Sequence, residues 1–98
     1  MKLYTLYIGH NNETKKAFKE KEITKIVNNY FDGYTLQRVI GYYKETKEES
    51  FKLEIINNND LKVNKLINDL NIKLKQESIL KTSSLLGIEF VENKQLIK

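Results

Sequence analysis

A single arginine stands in a chain that otherwise builds its positive charge from lysine, and it falls in mid-strand, at Arg38. A planar guanidinium gives bidentate or stacked recognition that an ammonium does not. Tyr7 on a neighbouring strand and Tyr42 further along its own would complete a basic, aromatic platform suited to a nucleotide or a phosphate. Strand alternation sends Tyr42 and Tyr43 to opposite faces, so only one of them joins Arg38 unless a bulge intervenes. A competing reading pairs Arg38 with Glu54 across the sheet, or places it in a dimer interface. His10, the sole histidine, heads a second cluster with Asn11, Asn12, Glu13 and Thr14. These side chains could hydrogen-bond a ligand. As a general base, however, His10 would want an orienting carboxylate and a nucleophile, and the loop offers Glu13 alone.

The remaining chemistry is excluded by residue type and spacing. The chain has no cysteine, so it has no disulfide, thiolate nucleophile or thiolate metal site, and an intracellular setting is the default. One histidine among scattered acids lacks the spacing of metal ligands, and no cofactor is implied. No P-loop, dinucleotide fingerprint, zinc motif or nucleophile elbow occurs. Glu49-Ser50 and Gln76-Glu77-Ser78 each set an acid beside a hydroxyl, with no histidine next to either. A non-enzymatic protein is the expectation. The net charge of +4 rests on lysine in a composition rich in Lys, Asn and Ile. All three have A/T-rich codons, so a low-GC genome accounts for the bias without an anionic partner.

The elements that position these residues follow from periodicity. Ninety-eight residues, 40% hydrophobic and 31% charged, suit a single globular domain spanning 1–98. No apolar run approaches a membrane span of about 18 residues. Lys2 to Gly9 reads as a central strand, with Tyr4, Leu6 and Ile8 on one face and Leu3, Thr5 and Tyr7 on the other. His10 to Phe18 is a polar loop. Ile23, Ile26, Val27, Tyr30 and Phe31 mark an amphipathic helix, stopped at Asp32-Gly33, where Gly33 can take the left-handed conformation of a C-terminal cap.

Tyr34 to Tyr43 forms the second strand, Lys44 to Glu49 a charged turn, and Phe51 to Ile56 a third strand with Phe51, Leu53 and Ile55 inward. Asn57 to Asp60 is a helix entry, and Val63, Leu66, Ile67, Leu70 and Leu74 give the second helix its stripe. Glu77 to Lys81 and Gly87 to Val91 read as two last strand pieces separated by Thr82-Ser83-Ser84. The order strand, helix, strand, strand, helix, strand is the split βαβ, or ferredoxin-like, arrangement: α+β, two helices on one face of a four-stranded antiparallel sheet. A short extra C-terminal edge strand is possible on this reading.

Four stretches carry a family resemblance: Leu6-Tyr7-Ile8-Gly9, Phe31-Asp32-Gly33-Tyr34-Thr35, Gly41-Tyr42-Tyr43 and Gln76-Glu77-Ser78-Ile79-Leu80. Together they resemble a family of small ferredoxin-like domains of unknown function, found in bacteria and in phages of low-GC hosts. The resemblance implies this fold and a phage or mobile-element setting, and it brings no established activity.

The function expected from these features is a binding module that self-associates, as a dimer or higher oligomer, through sheet surfaces. In a phage setting it would act in the host cytoplasm, interfering with defence by binding a host protein or sequestering a nucleotide-type signal. Tyr7, Tyr42 and Tyr43, as an exposed aromatic group, favour such an interface. The alternative is single-stranded nucleic-acid binding through the sheet face that the helices leave open.

Overall fold

The computed structural model describes residues 1–87. Six elements follow in chain order: β1 (Lys2–Ile8), α1 (Glu20–Val27), β2 (Thr35–Tyr43), β3 (Thr46–Asn57), α2 (Asp60–Lys73) and β4 (Leu80–Leu85). The strands form one antiparallel sheet in the order β2-β3-β1-β4. The fold is ferredoxin-like, as the periodicity predicts. Tyr4, Leu6 and Ile8 of β1 and Phe51, Leu53 and Ile55 of β3 are buried on one sheet face. Against them pack Ile23, Ile26 and Val27 of α1 and Val63, Leu66 and Leu70 of α2. Each such side chain removed from water contributes about 1.5–3 kcal/mol, which is what holds two short helices to the sheet.

Helix α1 starts with the Glu22 carboxylate accepting a hydrogen bond from the Lys19 backbone N–H at 2.8 Å. It ends at Val27, earlier than the apolar stripe suggests. Tight turns then take over, with the Tyr30 and Phe31 backbone N–H groups both donating to the Val27 carbonyl. These turns keep Phe31 buried on the stripe's face without further helix. Gly33 does not take the expected left-handed conformation; no glycine of the described residues has a positive φ. The Asn29 side chain bonds back to the Lys25 carbonyl, the competition with the backbone that makes asparagine a poor helix continuer.

Helix α2 opens on Asn59, whose side chain accepts from the Lys62 N–H at 3.0 Å. It closes in a Schellman turn: the Gln76 N–H reaches the Asn71 carbonyl at 2.9 Å and the Lys75 N–H the Ile72 carbonyl at 3.4 Å. Lys75, at φ 53°, takes the left-handed position usually given to glycine. A polar strut ties the start of α2 to β1, because the Tyr4 hydroxyl donates to the Asp60 carboxylate and Lys2 pairs with it at 3.0 Å.

Two expectations about the strands are corrected. The charged turn is only Lys44-Glu45, at φ 48° and 65°, the paired left-handed residues of a type I′ hairpin. Thr46 to Ser50 belong to β3, and the β2–β3 ladder continues to Tyr43 opposite Thr46. Since β1 ends at Ile8 opposite Phe51, the stretch from Val39 to Ser50 is a two-stranded ribbon reaching past the sheet. Its charged residues are tolerated because a ribbon has two wet faces. At the other edge, β4 takes in Thr82, Ser83 and Ser84, expected as a break, and pairs with β1 from Tyr7–Leu80 to Lys2–Leu85. Every β4 side chain is exposed, so backbone pairing rather than apolar burial places this strand. Of the second expected piece, Gly87 is not in a strand and 88–91 lie outside the described residues.

Candidate ligand site at the base of the ribbon

Residues directly opposite each other in a sheet share a face, so register assigns every candidate. Tyr7 stands opposite Lys52, and Lys52 opposite Gln37, which places all three on the open face. Arg38 stands opposite the buried Phe51 and is therefore on the helix side. The expected platform of Arg38 beside Tyr7 on the open face is not what the strands build. Arg38 lays its guanidinium over the Phe51 ring, 5.3 Å from the centroid, and meets Glu20 of α1 at 3.8 Å. Nor does it pair with Glu54, which lies across from Thr35 on the other face and meets Lys52 at 3.9 Å. Tyr42 shares the helix-side parity of Arg38 and is largely exposed on the ribbon; Tyr43 ends β2, with its backbone opposite Thr46.

The loop cluster divides differently. Asn11 accepts from the Glu13 and Thr14 N–H groups at 2.8 and 3.2 Å, and its backbone closes the same turn. Asn12 donates to the Lys75 carbonyl, and Glu13 pairs with the Lys75 ammonium, both at 3.2 Å. Asn11 and Asn12 thus shape the loop and strap it to the end of α2. His10 points toward the ribbon. Its backbone N–H donates to Glu48 Oε1 at 3.3 Å, and its Nδ1 lies 3.5 Å from the same oxygen. That ring contact falls short of hydrogen-bond geometry, leaving Nδ1 buried without a hydrogen-bond partner among the described residues.

Gln76, delivered by the Schellman turn, completes the assembly. Its Nε2 donates to the His10 carbonyl at 3.2 Å and to the Leu74 carbonyl at 3.4 Å. Gly9 sits between the two side chains. A Cβ there would meet Glu48 Oε1 at 2.8 Å and Gln76 Oε1 at 3.2 Å, so the close approach requires glycine. Glu48 and Gln76 line a groove of about 460 Å³ on the open side of the sheet. Tyr7, Ser50 and Ser78 supply hydroxyls along it, and Val39 and Leu80 apolar wall. The volume falls in the roughly 300–1,000 Å³ range of small-molecule sites.

Of the residues at or beside this groove, the sequence singles out Tyr7 and His10 as ligand candidates; Ser50, Gln76 and Ser78 stand there only in acid–hydroxyl stretches without a histidine beside them, and Glu48 only as part of a charged turn. These four come from β3 and from the segment after α2, so no local spacing marks them. The available signal was the hairpin register, which depends on a two-residue turn at Lys44-Glu45 rather than a six-residue one.

The chain matches no family model and no curated protein. Among solved structures, it is similar to a DUF3240 family protein from Shewanella baltica OS155, with a TM-score of 0.63 and 15% identity over 94% of this chain and 97% of that one. It is also similar to a phage SAM lyase in its apo state, with a TM-score of 0.55 and 16% identity over 85% of this chain and 78% of that one. The likeness is one of fold. Among the described residues no helix is long and apolar enough to cross a membrane.

Proposed function

We propose that the protein is a non-enzymatic, self-associating binding module that holds a small nucleoside-type ligand in the groove at the base of the ribbon. The observation carrying this reading is the convergence of Gly9, Glu48 and Gln76 from three separate parts of the chain on one groove. Self-association draws support from the open face, where Tyr7, Ile56 and Leu80 are exposed, and from the ribbon, where Ile40 and Tyr42 are. An isolated two-stranded hairpin is marginal in water, and a partner surface would relieve it. The phage protein among its structural neighbours supports a phage setting, in which the module sequesters a host signal or occupies a host defence protein.

Light scattering joined to calorimetric titration with adenosine tests this reading. A dimer or larger species that binds the nucleoside is expected; a strict monomer that binds nothing would remove it.

A second reading, turnover, has its own support in the fold shared with a phage SAM lyase and in the His10–Glu48 contact beside the groove. Incubation with SAM, followed by chromatography for its cleavage products, tests it directly. Single-stranded nucleic acid is the weaker alternative. The open face carries one cation among its described strand residues, Lys52, which is already beside Glu54. A phosphate backbone finds little to neutralise it there. The absence of an oligonucleotide shift at about 50 mM salt would agree with this weighing.

A further inference from the structure

We infer that the groove selects a ligand bearing a positive charge, and that it turns away one bearing a phosphate at the same position. The inference deepens the ligand-site reading above and rests on it. Its basis is the sign and hydrogen-bonding sense of the groove where Glu48 and Gln76 line it. Glu48 contributes a carboxylate, and among the described residues no lysine or arginine lines the groove. Oε1 of that carboxylate is engaged by the His10 backbone N–H, while Oε2 has no partner among the described residues.

Gln76 adds a second acceptor. Both bonds of its side-chain nitrogen go to carbonyl oxygens, of His10 and Leu74, and a carbonyl only accepts. The amide orientation is therefore fixed, which leaves Oε1 on the side of Gly9 and Glu48. A carboxylate and an amide oxygen side by side ask for a donor, and a cationic donor best. Among the described residues, His10 is the one basic side chain against Glu48, its Nδ1 3.5 Å from Oε1, and it does not line the groove. A phosphate in this position would meet two acceptors and a like charge, whereas an ammonium would gain charge-assisted hydrogen bonds. Tyr7, at the same groove, adds a ring of the kind that favours cations.

Three probes that differ only at the 5′ position separate the possibilities: 5′-amino-5′-deoxyadenosine, adenosine and AMP, titrated into the full chain by calorimetry at pH 7. The amine is expected to bind at least about tenfold more tightly than adenosine, and AMP more weakly than either. Glu48→Gln, which keeps the shape and removes the charge, is expected to bring the ratio of amine to adenosine affinity down to about one, whatever the absolute affinity of each. If AMP binds most tightly, or if Glu48→Gln leaves the order unchanged, the charge selection is overturned and the groove remains a nucleoside site. If none of the three binds a chain that circular dichroism shows to be folded, both the selection and the ligand-site reading are overturned.

Discussion

At the scale of single residues, the site depends on one side chain that is missing. Gly9 needs no unusual backbone angle; it needs the empty space where a Cβ would press on Glu48 and Gln76. Because the crowded atoms are the ends of flexible side chains, Gly9→Ala is expected to displace Glu48 rather than unfold the protein. Stability should change by less than about 1 kcal/mol. Nucleoside affinity should fall by about tenfold, equivalent to about 1.4 kcal/mol, measurable by titration beside a thermal melt.

The Tyr4–Asp60 strut gives a second prediction at this scale. The hydrogen bond to Asp60, then burial, then the Asp60 charge push the Tyr4 hydroxyl from its ordinary 10.0 up to about 12. Stability from this proton is complete below pH 10. It declines between pH 10 and about 12, where the unfolded chain ionises and the folded one does not. In the other direction, the Tyr4 and Lys2 hydrogen bonds hold the Asp60 carboxyl below its ordinary 3.8. That contribution is present above pH 3.8 and lost as pH falls through the lower folded value. Tyr4→Phe should therefore flatten both the alkaline and the acid limb of a denaturant-midpoint profile. Part of the alkaline limb should persist, because burial also raises Tyr30, helped by Asp69, and Tyr34.

At the scale of elements, the ribbon turn is the place where the chain departs most from the residues its geometry prefers. Glu45 holds φ at 65°, where a side chain costs roughly 1–2 kcal/mol and glycine nearly nothing. Glu45→Gly should raise stability by about 1 kcal/mol, read from urea denaturation. This same turn limits what could be read in advance. Order, type and inward faces of β1, β3 and α2 were legible, because Tyr4-Leu6-Ile8, Phe51-Leu53-Ile55 and Val63-Leu66-Leu70 are buried at regular periods. The ribbon was not: Glu48 and Ser50 look like loop residues when no burial enforces alternation. The edge strand β4 was misplaced for the same reason. Arg38 was legible in principle, since it shares strand parity with Leu36, which packs on the core. Gln76 could not be foreseen, because its position depends on Lys75 taking a left-handed turn without being glycine.

At the scale of the whole molecule, the sheet divides labour between its faces. One buries the core under α1 and α2. The other leaves Tyr7, Ile56 and Leu80 in water around the nearly buried Thr5. Ile56 lies at the far end of β3 from the groove, so a substitution there tests the proposed assembly apart from the proposed ligand contact. If the open faces meet, Ile56→Lys should shift the species seen by light scattering toward monomer with little loss of monomer stability, because the residue is half exposed already. An unchanged mass would direct attention to the ribbon as the assembling element.

If the groove holds its proposed ligand, the Schellman turn that ends α2 makes the last turn of that helix part of the binding thermodynamics. Gln76 stands in the groove wall with its own N–H bonded to the Asn71 carbonyl and its side chain bonded to the Leu74 carbonyl, both at the end of α2. Fraying of α2 at this end therefore withdraws the wall, and a ligand resting on the wall must oppose the fraying. The amides of Leu74 and Gln76 become reporters far more local than a melting temperature. Saturating nucleoside should slow their hydrogen–deuterium exchange, while amides at the Asn59 end of the same helix keep their rate. A uniform slowing along α2 would mean instead that the ligand stabilises the fold as a whole, with no privileged link between this helix end and the groove.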